Sequence, residues 1–172
     1  RLQLNEETIW AGHPNSIAHE KALEALPKVR ALIFEGKYLE AQNLATEQIR
    51  SQTNNGMPYQ TFGSLYISFP GHDNYEDYYR DLNIADATAS VKYSVDGVNF
   101  KREMLTSFED DVIVVKLSAD KPGSITCNLL LNSPFDKTDP VTREEQIVLS
   151  GTSSTVEGLR GEVDFQGRVA AK

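Results

Sequence analysis

The hydrophobic pattern of this chain changes period partway along. In "EKALEALPKVRALIFEGKYLEAQNLATEQIR", Leu23, Leu26, Val29 or Arg30, and Ile33 recur at helical spacing. This predicts a helix running to about Glu35, with Pro27 in its first turn, since a proline in mid-helix loses a hydrogen bond and clashes with the preceding turn. Gly36 reads as the C-terminal stop. A second helix from about Tyr38 to Ile49 is expected to bury Tyr38, Ala41, Leu44 or Ala45, and Ile49, giving a short helical hairpin.

After "SQTNNGMPYQ" the period becomes two. "SLYISF" puts Leu65, Ile67 and Phe69 on one face of a strand. In "SVKYSVDGVNFKREMLTSF", Asp96-Gly97 separates Val91, Tyr93 and Val95 from Val98 and Phe100, which predicts a tight hairpin. "DVIVVKLSAD", "GSITCNLLLNS", "EQIVLSG" and "GEVDFQGRVAAK" supply further strands. Strands joined by brief turns, without helices between them, argue for an antiparallel sandwich. "SPFDKTDPVTREE" reads as a polar connection between sheets, "SGTSSTVEG" as a loop, and "GHDNYEDYYRD" as an acidic loop. That loop is either simply solvated or a calcium site without the regular ligand spacing of an EF-hand. The pattern ends at Lys172 as a strand ends, which fits a domain cut from a longer protein.

Composition narrows the function. The 172 residues suffice for one substantial core. The 25 acidic residues outnumber the 17 basic ones and no Lys/Arg stripe builds up, which argues against a nucleic-acid partner. No run approaches the roughly 18 apolar residues of a membrane span. Cys127, the single cysteine, is expected as a buried strand thiol. His13, His19 and His72 belong to no HExxH or His-x-His arrangement, so neither a metal nor a cofactor is expected. Nucleophile elbows, phosphate-cradling glycine loops and dinucleotide fingerprints are absent from the sequence.

The chemistry-bearing types concentrate near the start, in "LQLNEETIWAGHPN". Glu6 and Glu7 invite comparison with the acid pair of glycosidases. Adjacent residues on an extended chain point to opposite faces, however, so the pair is badly placed to flank a substrate. Trp10 has two readings: stacking on a sugar with Asn5, His13 or Asn15 supplying hydrogen bonds, or packing in the core or at a domain interface. Tyr59 and Gln60 either face a pocket or feed the first strand of the sheet region.

Taken in order, these segments resemble a known family. "LQLNEETIWAGHPN" is similar to the LNExTxW-[SA]-G signature near the start of family 95 glycoside hydrolases, the alpha-L-fucosidases. "VRALIFEGKYLEAQNLA" resembles that family's arginine, aliphatic pair and EGKY/EA helix segment, and "PYQTFGSLYISF" its YQxxGxLxxxF stretch. "YYRDLNIADATASVKYSVDGVNFKREMLTSFEDDVIVVKLSADKPGSI" is similar to YxRxLDLxxAxxxVxY followed by DGVxFxRExxxSxxDxVxVxxLxAxKPGS, with Asn83 in place of the usual Asp.

The resemblance covers essentially the whole chain. It implies a mainly β domain with short α-helices, an antiparallel super-β-sandwich of the galactose-mutarotase-like kind, incomplete at both termini. Residues 1–172 would be the N-terminal domain, with a helical insertion at about 17–50 and the catalytic (alpha/alpha)6 barrel absent. The implied parent is an inverting exo-acting alpha-L-fucosidase on terminal, alpha-1,2-linked fucosides, with alpha-L-galactosides favoured in some relatives. Its general acid is a barrel Glu, and barrel Asn and Asp residues prepare the water, so no catalytic residue falls on this chain. The implied partners are the catalytic domain of the same polypeptide and a fucosylated glycan, and the implied location is secreted or periplasmic. Asn5, Trp10 and His13 are the pocket-edge candidates. A carbohydrate-binding module and a purely structural interdomain scaffold are the alternatives.

Overall fold

The computed structural model describes residues 1–14, 19–51, 57–136 and 138–172. The fold is mainly β, with antiparallel sheets of the sandwich class and short helices, consistent with the galactose-mutarotase-like expectation. The chain divides into two compact units, one holding Leu65–Leu130 with Arg1, the other Leu2–Ser64 and Leu131–Lys172. It passes between them within strands β2 (Gly63–Ser68) and β7 (Asn128–Asn132), and β1 is Leu2–Leu4.

The first unit is built on the sheet β3-β4-β5-β6, with β3 Glu76–Asn83, β4 Thr88–Val95, β5 Val98–Ser107 and β6 Val112–Ala119. Asp96 and Gly97 both take positive φ, 48° and 76°, and Val95 pairs with Val98. That is the tight hairpin predicted from Asp-Gly, because two successive left-handed residues match the twist of the flanking strands. The expected inner positions are buried: Tyr93, Val95 and Phe100 form a cluster with Val91, Val98 and Ala119 packed on it. Arg102 joins the same face, its guanidinium 4.1 Å from the Phe69 ring centre, and donates to the Tyr93 hydroxyl at 2.9 Å. With its oxygen accepting from Arg102, Tyr93 can donate its proton to His72 Nδ1, 2.8 Å away.

The second unit contains the sheet β10-β9-β8, with β8 Asp139–Arg143, β9 Gln146–Thr152 and β10 Asp164–Ala170. Leu149 is fully buried on one face, and Phe165 on that face packs against Phe62 and Phe135 at 5.4 and 5.0 Å. Glycine makes room for these rings: a Cβ at Gly151 would meet Phe165, and one at Gly167 would meet Phe62.

Helices α1 (Ala22–Phe34) and α2 (Tyr38–Gln48) belong to this unit. Gly36, at φ +75°, ends α1 as expected: its N–H donates to the Ile33 carbonyl and that of Lys37 to Leu32, which satisfies two carbonyls of the last turn.

Several expectations are corrected. α1 begins at Ala22, so Pro27 lies inside it and not in its first turn. The bond that proline cannot make would reach Leu23, an exposed residue whose carbonyl water can serve. The buried positions are Ala25 and Val29, while Leu23, Leu26 and Ile33 are exposed; on α2, Ala41 is buried and Tyr38 exposed. "GHDNYEDYYRD" is not wholly a loop, since Glu76 onward forms β3. This edge strand is exposed along its whole length, so it carries no alternation to reveal it. The polar connection contains β8, also an edge strand, where Pro140 is tolerated. Ser150, Gly151 and Thr152 of the expected loop close β9. Cys127 lies just before β7 and is only partly buried, not a buried strand thiol.

Candidate functional site

The N-terminal loop that follows β1 is held by two other segments of its own unit. Ile9 and Ala11 are 0% and 2% exposed, so the alternation of an extended chain turns Trp10 outward. The Ala11 N–H donates to the Pro58 carbonyl at 3.0 Å, and the Gln60 N–H to the Ile9 carbonyl at 2.9 Å. Trp10 and Tyr59 therefore face each other as a non-hydrogen-bonded antiparallel pair, the arrangement that brings side chains closest. Their rings meet edge to face at 5.5 Å, with Trp10 45% and Tyr59 42% exposed.

Residues 153–162 supply the second support. The Gly12 N–H donates to the Ser154 carbonyl at 2.8 Å, the Glu162 N–H to the Gly12 carbonyl at 3.2 Å, and the Ser154 N–H to Gln60 Oε1 at 3.0 Å. Gly12 has φ +73°, and a Cβ there would lie 2.8 Å from the Met57 sulfur. The left-handed backbone at this position is thus the reason for glycine in "WAG", since the flexible end of the Met57 side chain can move aside.

The polar groups of this loop mostly have internal partners. Glu6 accepts the Thr8 N–H and hydroxyl at 2.9 and 2.6 Å, closing its own turn. Trp10 Nε1 donates to the Glu7 carbonyl at 3.0 Å, and the Tyr59 hydroxyl to the Glu6 carbonyl at 3.0 Å. His13 Nδ1 lies 2.8 Å from the Arg160 carbonyl. A carbonyl oxygen only accepts, so Nδ1 carries the proton, and in the neutral ring Nε2 is an acceptor.

The three pocket-edge candidates thus sit on one loop. Asn5 is exposed near its start, Trp10 stands outward at its middle, and His13 is half-buried and tied to Arg160. Glu6 and Glu7 are neighbours on this loop, and their contacts serve the turn. The sequence carried no signal for the roles of Ser154, Arg160 and Glu162, which act through backbone atoms from the far end of the chain.

A second polar feature lies on the outer face of β9 and β10. Ser150, Thr152, Asp164 and Gln166 line a shallow groove of about 550 Å³. Thr152 donates to Asp164 at 2.7 Å and Gln166 to Ser150 at 2.9 Å. Among the described residues, no group of three or more His, Cys, Asp or Glu is arranged to hold a metal, and no helix is long and apolar enough to cross a membrane.

The structure thus defines an antiparallel β domain whose aromatic N-terminal loop is locked by backbone hydrogen bonds. The chain belongs to the glycosyl hydrolase family 65 N-terminal domain family, whose model matches residues 1–172. It is also similar to alpha-L-fucosidase 2 of Arabidopsis thaliana, at 36% identity over 157 residues, covering 88% of this chain. The match spans 18% of that plant protein's length.

Proposed function

We propose that this chain is the noncatalytic N-terminal domain of an inverting, exo-acting alpha-L-fucosidase of family 95, acting on terminal alpha-1,2-linked fucosides outside the cytoplasm. The observation that carries the reading is the 36% identity to a plant alpha-L-fucosidase, which runs through nearly the whole chain while spanning a small part of the relative. The chemistry is then assigned to a catalytic barrel in the same polypeptide. This domain packs on that barrel, and Asn5, Trp10 and His13 shape the pocket edge. An inverting mechanism needs an acid and a base held about 6.5–9.5 Å apart across the sugar. The Glu6 carboxylate is instead engaged by the Thr8 N–H and hydroxyl of its own turn.

The test is hydrolysis of an alpha-L-fucoside by the full-length protein and by this chain side by side. Activity in the full-length protein alone is expected. Activity in the isolated chain would overturn the division of labour. An inactive, folded full-length protein would remove the fucosidase assignment, and alpha-L-galactosides would be tried next. A carbohydrate-binding module is the second reading, favoured by the exposed Trp10–Tyr59 pair and the groove at Ser150–Gln166.

A further inference from the structure

We infer that Tyr59 joins Trp10 and His13 in binding a pyranose ring, with the aromatic pair taking the apolar face of the sugar and His13 Nε2 accepting one of its hydroxyls. This deepens the fucosidase reading and rests on it for the identity of the sugar.

The argument starts from what the loop leaves unused. An exposed Trp or Tyr commonly offers both a ring and a polar handle. Here both handles are occupied, since Nε1 binds the Glu7 carbonyl and the Tyr59 hydroxyl binds the Glu6 carbonyl. These bonds fix the rings against the turn while more than two-fifths of each residue stays open to water. What remains is aromatic surface without a hydrogen-bond donor, matched to the C–H face of a sugar. A 6-deoxyhexose, with a methyl where other hexoses carry a hydroxymethyl, has more such surface.

His13 supplies the complementary polar contact. The bond from Nδ1 to the Arg160 carbonyl fixes the tautomer of the neutral ring, in which Nε2 is a hydrogen-bond acceptor. A sugar hydroxyl is a donor of the required kind. The backbone bonds to Pro58, Ser154 and Glu162, with buried Ile9 and Ala11, hold the loop before any ligand arrives. Such preorganisation lowers the entropic cost of binding.

Trp10 is the sole tryptophan of the chain, so intrinsic fluorescence reports on this site directly. The experiment titrates the chain with methyl alpha-L-fucopyranoside, with circular dichroism verifying the fold of each variant. A saturable change in Trp10 emission is expected. Tyr59→Ala is expected to weaken binding about tenfold through loss of buried apolar area, while Tyr59→Phe, which keeps the ring and loses only its bond to Glu6, weakens it less. His13→Asn keeps a donor for the Arg160 carbonyl but has no counterpart of Nε2, and is expected to bind about tenfold more weakly.

No saturable change with any glycoside, or wild-type binding by folded Tyr59→Ala and His13→Asn, overturns the inference. The two readings fail separately. Fucoside hydrolysis by the full-length protein without a Trp10 response removes the platform alone. A Trp10 response to another glycoside and none to the fucoside keeps the platform and removes the fucosidase assignment.

Discussion

At Gly63 the backbone carbonyl of Asn132 stands where a side chain would begin. No rotamer choice relieves that conflict, because the neighbour is main chain and is itself held in β7. Gly63→Ala is therefore expected to lower stability by about 2–3 kcal/mol, as overpacking does in tight interiors. Gly71→Ala meets nothing within 4 Å and carries only the strain of φ +83°, so about 1 kcal/mol is expected there. Urea unfolding of the two variants checks the contrast, and equal losses would mean that Asn132 yields to the new methyl. Gly63 was legible as a letter of "YQTFGSLYISF", but its reason was not, since the atom that requires it lies on a distant strand. The candidate loop divides in the same way. Trp10 and His13 stood out by residue type, whereas the carbonyls of Ser154 and Arg160 that hold the loop have no residue-type signature.

At the level of elements, the paired ends of β5 and β6 carry a titratable clamp. Asp120 accepts the Asn99 N–H at 3.0 Å and its side-chain amide at 2.7 Å, and its own N–H donates to the Asn99 carbonyl. The amide side chain and backbone N–H of Asn99 favour the charged carboxylate and hold Asp120 below its ordinary range. A folded-state value below the unfolded one means that this contribution is fully present above the ordinary Asp range. It is lost as pH falls through the depressed value. The urea midpoint is expected to fall across that acidic window, and Asp120→Asn to flatten this part of the profile. An unchanged slope in the variant would assign the acid sensitivity to other carboxylates. The β4–β5 hairpin was legible because Asp96-Gly97 encodes its turn locally and the strands have one buried face. β3 and β8 were not, because exposed edge strands owe their conformation to a neighbour's backbone and not to their own side chains. Pro27 misplaced the start of α1 for a related reason: exposure makes its lost bond tolerable, and exposure is not written in the local sequence.

Across the whole molecule, the balance of apolar exposure against charge yields the last prediction. The register of the four-stranded sheet aligns Leu82, Ala89, Met104 and Val115 in one apolar row, on the face that buries Tyr93 and Phe100 farther along. Leu82 is 66% exposed, Ile113 on the same face is 48% exposed, and Ile84 just beyond β3 is 88% exposed. Apolar surface gathered in this way invites association, while a formal charge of -8 opposes it through mutual repulsion. Added salt screens that repulsion, so the isolated chain is expected to self-associate more at high than at low ionic strength. It is also expected to bind the apolar dye anilinonaphthalenesulfonate. Leu82→Lys should reduce both effects while changing stability by no more than about 0.5 kcal/mol, since the residue is largely exposed. Leu82→Glu, of opposite charge, should act alike if lost apolar surface is the cause. Sedimentation velocity at two salt concentrations, with urea unfolding of both variants, separates the possibilities. Loss of folding in both variants would instead make Leu82 a core residue of the chain, and association unchanged by either would move the sticky surface off this row.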